Sequence, residues 1–303
     1  MNVGVVGMGY WGSKVVEEYA RLRERGDVDG VAAIDADPNA LASVDAEVAD
    51  ATYESLEAAL PAVDAVHVAT SNAGHFPVAA EALDSGVHVL LEKPLTTDRR
   101  DAYDLVELAS ESGCILQTGH VFRFSDVVRQ VKEDYETGLF GEPEHFTLRW
   151  THEMEQFKEN DVLWDLLPHP LDILNFVTGE WPHTVTGVSK TNPDGVRTAA
   201  QVGLKYSDFV ASVEVSWVDR TRRRSLELAG SRRSATVECV DQSMVICDDD
   251  KTIVDVEANN TILAEIENFV RAIETGENAF NSAIVGARMV DAVQSVIEEI
   301  DEA

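Results

Sequence analysis

Asn2-Val3-Gly4-Val5-Val6-Gly7-Met8-Gly9-Tyr10-Trp11-Gly12 decides the fold. The apolar run 2–6 has the length of a buried strand. A Gly-x-Gly-x-x-Gly loop follows, and then Val15, Val16, Tyr19 and Leu22 form an apolar stripe at helical spacing. In a strand–loop–helix unit, Gly7 permits the tight turn, Gly9 lets backbone approach a pyrophosphate, and Gly12 lets helix pack on strand. The helix N-terminus then faces the phosphate charge. A second strand, Val31-Ala32-Ala33-Ile34, ends in Asp35. An acid there accepts hydrogen bonds from ribose hydroxyls, and its charge, with that of Asp37, opposes a 2′-phosphate. The expected cofactor is NAD rather than NADP, bound through Gly7, Gly9, Tyr10, Trp11, Gly12 and Asp35. The plainer reading is a glycine turn with no ligand.

Strand and helix alternate outward from this unit. Residues 63–69 and 87–91 read as strands and 74–85 and 98–112 as helices, followed by Ile115-Leu116-Gln117. Repeated βα units imply a parallel, doubly wound sheet over residues 1–119. Beyond Gly119 the pattern changes. A helix is expected over 126–137, a strand over 145–150 and a short helix near 171–176. Strand-like runs then crowd together at 184–189, 199–206, 209–218, 225–229, 235–240 and 244–247. Helices at 262–274 and 283–300 close the chain. The fold class is therefore α/β: an N-terminal Rossmann domain, 1–119, and a C-terminal α+β domain, 120–303, on an open, mostly antiparallel sheet. The last helices are able to pack back on the first domain.

Fifty-five acidic residues oppose 24 basic ones in 303 residues, a formal charge of −31. Such a surface repels nucleic acid and anionic membranes. Because ions screen self-repulsion, the charge is read as halophilic, an adaptation to concentrated salt. Cys114, Cys239 and Cys247 are too few and too scattered for a disulfide framework or a zinc cluster, and core packing is expected of all three. With no long apolar stretch and no secretory signal pattern, a cytoplasmic protein is expected.

Chemistry-bearing residues cluster at strand ends. Glu92-Lys93-Pro94 directly follows the apolar run 87–91. That places Lys93 at a carboxyl end, where open α/β sheets bind ligands. Thr70, Ser71 and Asn72 follow the strand ending at Ala69, with His75 at the start of the next helix. Thr70, Asn72 and His75 are candidates for the nicotinamide side, and Thr70 or Asn72 is equally a helix cap. Glu92 and Gln117 join the cofactor-binding set. Asp165, His169 and Asp172 are spaced by four and three, which puts them on one helical face. His169 suits the base that takes an alcohol proton as hydride leaves the carbon. Asp165 or Asp172 would orient it or hold a neighbouring hydroxyl. Taken alone, His169 reads more readily as a satisfied structural histidine. Pro168 and Pro170 interrupt the segment, and Pro170 should kink or restart the helix. No metal site is expected.

These motifs together resemble the glucose–fructose oxidoreductase / inositol dehydrogenase / MocA-type oxidoreductases over nearly the whole chain. The resemblance rests on Gly7-Met8-Gly9-Tyr10-Trp11-Gly12, Asp35, Thr70-Ser71-Asn72 with His75, Leu91-Glu92-Lys93-Pro94-Leu95, and the segment holding Asp165, His169 and Asp172. It implies that Lys93, Asp165 and His169 match the catalytic constellation. Lys93 would bind the reacting hydroxyl and help its proton leave, and His169 would be the acid/base. It also implies a cis bond before Pro94, and dimers or tetramers built on the open sheet. Gly9-Tyr10-Trp11-Gly12, residues 119–124 and residues 163–169 are similar to the sugar-nucleotide 3-dehydrogenase branch. The chain departs from the family at Ser71, where proline is common. It departs also in the charged segment 152–161, whose Glu153, Glu155, Glu159 and Asp161 do not suit a diphosphate. Arg123 would pair with a substrate carboxylate or phosphate, or with an internal acid. The substrate-binding candidates are Lys93, Arg123, Asp165, His169 and Asp172.

The expected activity is NAD-dependent hydride transfer to or from a ring hydroxyl of a sugar, sugar nucleotide or cyclitol. The alternatives are a non-catalytic NAD-binding sensor, and a reductase of another C=O or C=N substrate on the same fold.

Overall fold

The computed structural model describes every residue except 155–160, 278 and 303. Among the described residues the strands, in chain order, are β1 (Asn2–Val6), β2 (Gly30–Ile34), β3 (Ala51–Tyr53), β4 (Ala65–Val68), β5 (His88–Glu92), β6 (Leu116–Gly119), β7 (Pro143–Glu153), β8 (Thr184–Thr191), β9 (Arg197–Lys205), β10 (Val210–Ser216), β11 (Val218–Gly230), β12 (Ser234–Glu238), β13 (Ser243–Cys247) and β14 (Lys251–Val254). The helices are α1 (Tyr10–Arg25), α2 (Pro38–Ala42), α3 (Leu56–Ala59), α4 (Asn72–Asp84), α5 (Arg99–Ser112), α6 (Asp126–Glu136), α7 (Val162–Leu166), α8 (Pro168–Thr178), α9 (Thr261–Thr275) and α10 (Ala283–Glu302). They fall into two compact units, Met1–His120 with Thr261–Val290, and Val121–Asn260 with Asp291–Ala303.

In the first unit six parallel strands lie in the order β3-β2-β1-β4-β5-β6. The strand order reverses between β1 and β4, which opens a crevice at their carboxyl ends. Val3 and Val5 of β1, Val15, Tyr19 and Leu22 of α1, and Ile266 and Phe269 of α9 share one core. The stripe that predicts α9 as amphipathic is the stripe that joins it to α1. β3, α2 and α3 have no counterpart among the elements expected from sequence. β3 is three residues long, and only its parallel pairing with β2 makes it a strand.

The second unit holds an eight-stranded sheet, β14-β13-β12-β11-β7-β10-β9-β8. Every pair is antiparallel except β7 with β10, which is parallel. Phe146, Leu148 and Trp150 of β7 are opposite Leu228, Leu226 and Arg224 of β11 and Ala211, Val213 and Val215 of β10. This apolar face is the buried one. The intervening Thr147 and Arg149 register with Ser212 and Glu214 on the opposite, polar face.

α8 carries a buried ion pair. The Arg123 guanidinium, 6% exposed, donates through Nε to Asp172, 1% exposed, at 2.7 Å, and also to the Asn175 amide oxygen at 2.8 Å. Arg123 therefore meets an internal acid. Both residues leave the substrate-binding set: each lies in the packed interior, engaged with the other. Asp172→Ala would leave a buried guanidinium without its carboxylate, which costs about 3–5 kcal/mol. Chemical denaturation should show that loss, with Arg123→Met/Asp172→Leu recovering much of it. A D172A protein as stable as the parent would contradict the assignment.

Candidate active site

The glycine loop has the shape its sequence predicts. Gly7 sits at φ +96°, and a Cβ there would lie 2.8 Å from the Ala69 carbonyl oxygen, so β1 and β4 approach too closely for a side chain. At Gly12 a Cβ would come within 1.8 Å of the Gly7 carbonyl oxygen. At Gly9, by contrast, an added Cβ meets nothing within 4 Å. Gly9 is also the N-cap of α1 and offers no capping side chain, so the first helical N–H groups have no side-chain cap. Asp35 accepts from the Met8 N–H at 2.6 Å and the Asp37 N–H at 2.8 Å, which pins the loop to the end of β2. An open cradle beneath a helix N-terminus, with a carboxylate beside it, fits a dinucleotide whose adenosine ribose is unphosphorylated. Tyr10 is 78% exposed, with the Lys14 ammonium 4.2 Å above its ring.

Glu92 ends β5 and gathers the neighbouring elements. Its Oε1 accepts from the Trp11 indole N–H and lies 3.1 Å from His67 Nε2, while His67 Nδ1 lies 3.5 Å from the Tyr19 hydroxyl. One pattern satisfies all three contacts: Tyr19 donates to Nδ1, and Nε2–H donates to Glu92. Burial pushes the Glu92 carboxyl up, but the hydrogen bonds from His67 and Trp11 and the Lys93 charge outweigh it and hold the group below its usual range. Glu92 is thus a positioned anion. Lys93, half-buried, follows it, and the Lys93–Pro94 peptide is cis.

The nicotinamide-side candidates divide. Thr70 and Asn72 are half-buried at the carboxyl end of β4, and neither caps α4; Ser71 is the N-cap, without a side-chain bond. His75 is 1% exposed. Its Nδ1–H donates to the Pro94 carbonyl at 2.8 Å, and Nε2 lies 3.3 Å from the Thr70 carbonyl. His75 therefore braces the Lys93–Pro94 turn against the β4 loop and leaves the cofactor-binding set. Gln117 leaves it too: it is fully buried, and its amide donates to the Glu265 carbonyl of α9 at 3.3 Å.

In the second unit Asp165 and His169 lie on consecutive helices, α7 and α8, joined at Leu167. The helix restarts at Pro168, its first residue, rather than at Pro170, because proline is tolerated where no N–H is required. Asp165 accepts from the Trp217 indole N–H at 2.9 Å, a partner that no local motif announces. The His169 ring packs edge-on to Phe122 (centroids 5.3 Å) and near-parallel to Trp150 (6.2 Å). Aromatic walls hold the imidazole in place, and it keeps partial exposure. Glu155 and Glu159 lie outside the described residues, among which no metal-binding cluster occurs.

Burial, above all, sets the His75 imidazole below its usual value of 6.5, against the Pro94 hydrogen bond. A lowered value means that the neutral ring stabilises the fold above about pH 6.5, and that this contribution fades as pH falls. The stability difference between the parent and His75→Gln, about 1 kcal/mol near pH 8, should shrink on acidification toward pH 5. A difference that is flat across that range would contradict the bracing role.

Comparison with known proteins agrees with this geometry. Residues 1–120 match the oxidoreductase family with an NAD-binding Rossmann fold, and residues 128–236 match the GFO/IDH/MocA C-terminal domain. The UDP-N-acetylglucosamine 3-dehydrogenase of Acidithiobacillus ferrooxidans is 28% identical over 98% of this chain and 96% of its own length. Its solved structure superposes with a TM-score of 0.89, covering 100% of this chain and 98% of that one. An inositol 2-dehydrogenase of Corynebacterium glutamicum is 30% identical over 59% of this chain and 54% of its own. The aldose-aldose oxidoreductase of Caulobacter crescentus, at 16% identity, shares the fold, with a TM-score of 0.88 over 100% of this chain and 98% of that one. The chain belongs to the GFO/IDH/MocA family of NAD-binding oxidoreductases.

Proposed function

We propose that this protein is an NAD-dependent dehydrogenase that transfers hydride between a ring hydroxyl of a sugar, sugar nucleotide or cyclitol and the nicotinamide. The observation that carries the reading is the Glu92 junction. A carboxylate bonded to Trp11 beside the glycine loop and to His67 of β4 fixes the chain at the point where Lys93 follows. The bound dinucleotide would supply the hydride acceptor, held by the Gly7–Gly12 loop and Asp35. Lys93 binds the reacting hydroxyl and favours its alkoxide character. His169 takes the hydroxyl proton, or returns it in the reductive direction. Asp165, steadied by Trp217, holds a substrate hydroxyl or the imidazole. One relative is named a UDP-N-acetylglucosamine 3-dehydrogenase and another an inositol 2-dehydrogenase, which supports this substrate range.

A sensor that binds NAD without turnover would need none of Lys93, Asp165 and His169. The test is Lys93→Ala. It should bind NAD with unchanged affinity and lose at least about a hundredfold in kcat on whichever sugar nucleotide or cyclitol the parent oxidises. Near-parental turnover would remove Lys93 from the mechanism, and a parent inert toward every polyol and nucleotide sugar would favour the sensor. The charge of −31 is read as adaptation to concentrated salt, so parental activity should rise along a KCl series, and a steady decline would contradict that. The active species is read as a dimer or tetramer, and full activity from a sedimenting monomer would contradict it.

A further inference from the structure

In a chain with 55 acidic and 24 basic residues, four arginines stand within five positions: Arg220, Arg222, Arg223 and Arg224. All belong to the first half of β11. Two have acids nearby: Arg223 reaches Asp219 at 3.0 Å, and Arg220 lies 3.6 Å from Glu153. The other two differ. Arg222 is exposed and meets no acid among the described residues. Arg224 turns inward, since its register opposite Trp150 puts it on the apolar, helix-covered face. Its guanidinium donates to the Thr151 carbonyl at 2.9 Å, the Arg223 carbonyl at 2.7 Å and His152 Nδ1 at 3.1 Å. Every acceptor is neutral.

A largely buried cation without a carboxylate bonded to it is unusual, because charges leave water only when compensated. Arg123, in the same unit, has its Asp172; Arg224 has no equivalent among the described residues. Burial, and then the like charge of Arg222, bring the Arg224 guanidinium down to about 10, against the pull of Asp165. The surroundings are rich in donors. The Trp150 indole N–H is buried and has no acceptor among the described residues. Arg224 lies 5.9 Å from the Trp150 ring, and His169 packs on that same ring at 6.2 Å. A cation with no carboxylate bonded to it and the imidazole assigned to proton transfer therefore flank the same indole ring.

We propose that Arg224 and Arg222 bind the anionic group of the substrate, through its phosphate or carboxylate oxygens, and thereby restrict this enzyme to charged sugars. The inference rests on the reading of His169 as the acid/base. Arginine suits this role because its planar fork pairs two oxygens at once and remains charged at any working pH. A local cationic site also gives an anionic substrate a place to land on a molecule that otherwise repels it.

The test is calorimetric titration of UDP, and separately of glucuronate, into the protein saturated with NADH, so that the dinucleotide cradle is already filled and no turnover occurs. The parent should bind at least one probe, with UDP marking a phosphate and glucuronate a carboxylate as the preferred group. Arg222→Gln, a surface change, should weaken that binding at least about tenfold, the effect of losing one charge-assisted contact, and Arg224→Lys should weaken it further. NADH affinity should stay unchanged in both variants as the folding control. Failure of the parent to bind either probe would overturn the proposal, as would equal binding by parent and variants. Arginine-dependent binding in a protein that never reduces NAD would uphold this site and sink the dehydrogenase reading. Turnover of a neutral cyclitol without arginine-dependent anion binding would do the reverse.

Discussion

A carboxylate taken out of water requires donors, and Glu92 draws two from separate elements: the Trp11 indole at the start of α1 and the His67 imidazole within β4. Neither is adjacent to it in sequence. Together they tie the end of β5 to the glycine loop and to the neighbouring strand, where the crevice opens. The close packing extends to β6, since a Cβ on Gly119 would lie 2.9 Å from Glu92 Oε2. His75 adds a second brace by bonding the Pro94 carbonyl. Lys93 is thus held from both sides by its own chain neighbours, Glu92 and Pro94. That is how a flexible, strongly hydrated side chain acquires a defined origin.

Much of the first unit was legible because its signals are local. Strand, glycine loop and helix follow one another within 25 residues, and Asp35 and Lys93 are marked by their places at strand ends. The lines of partnership were not legible. His67 sits inside an apolar strand and carries no motif, yet it is what fixes Glu92. Gln117 and His75 were expected to face the cofactor because they lie near the right strand ends. Strand position does not say which face a side chain takes, and both turned inward. In the second unit the apolar alternation of β7, β9 and β10 announces strands. Residues 218–224 of β11 lack it, since five of the seven are charged, and pairing with β7 alone makes them a strand. Arg224 therefore carries no periodic signal, and the cluster of four arginines in so acidic a chain is the mark the sequence offers.

Two arginines of the second unit, Arg123 buried and Arg224 half-buried, show how charge is managed in an acidic protein. Arg123 is matched inside the fold by Asp172, a structural arrangement whose rupture is costly and whose presence says nothing of substrate. Arg224 is bonded only to carbonyls and an imidazole, and the nearest influence of opposite sign comes from Asp165. Sequence alone cannot separate these cases, because both are arginines beside aromatic residues. Partner identity and burial separate them, and they shift the candidate anion contact from Arg123 to Arg224.

In the proposed reaction, hydrogen leaves a ring carbon of the substrate as hydride and arrives on the nicotinamide. Incubating the enzyme and NAD with sugar nucleotides and cyclitols deuterated at the ring carbons, and then locating the label by NMR, tests it most directly. Deuterium is expected at C4 of the reduced nicotinamide, from a single ring position. Label released to water, or an unlabelled reduced cofactor, would contradict it.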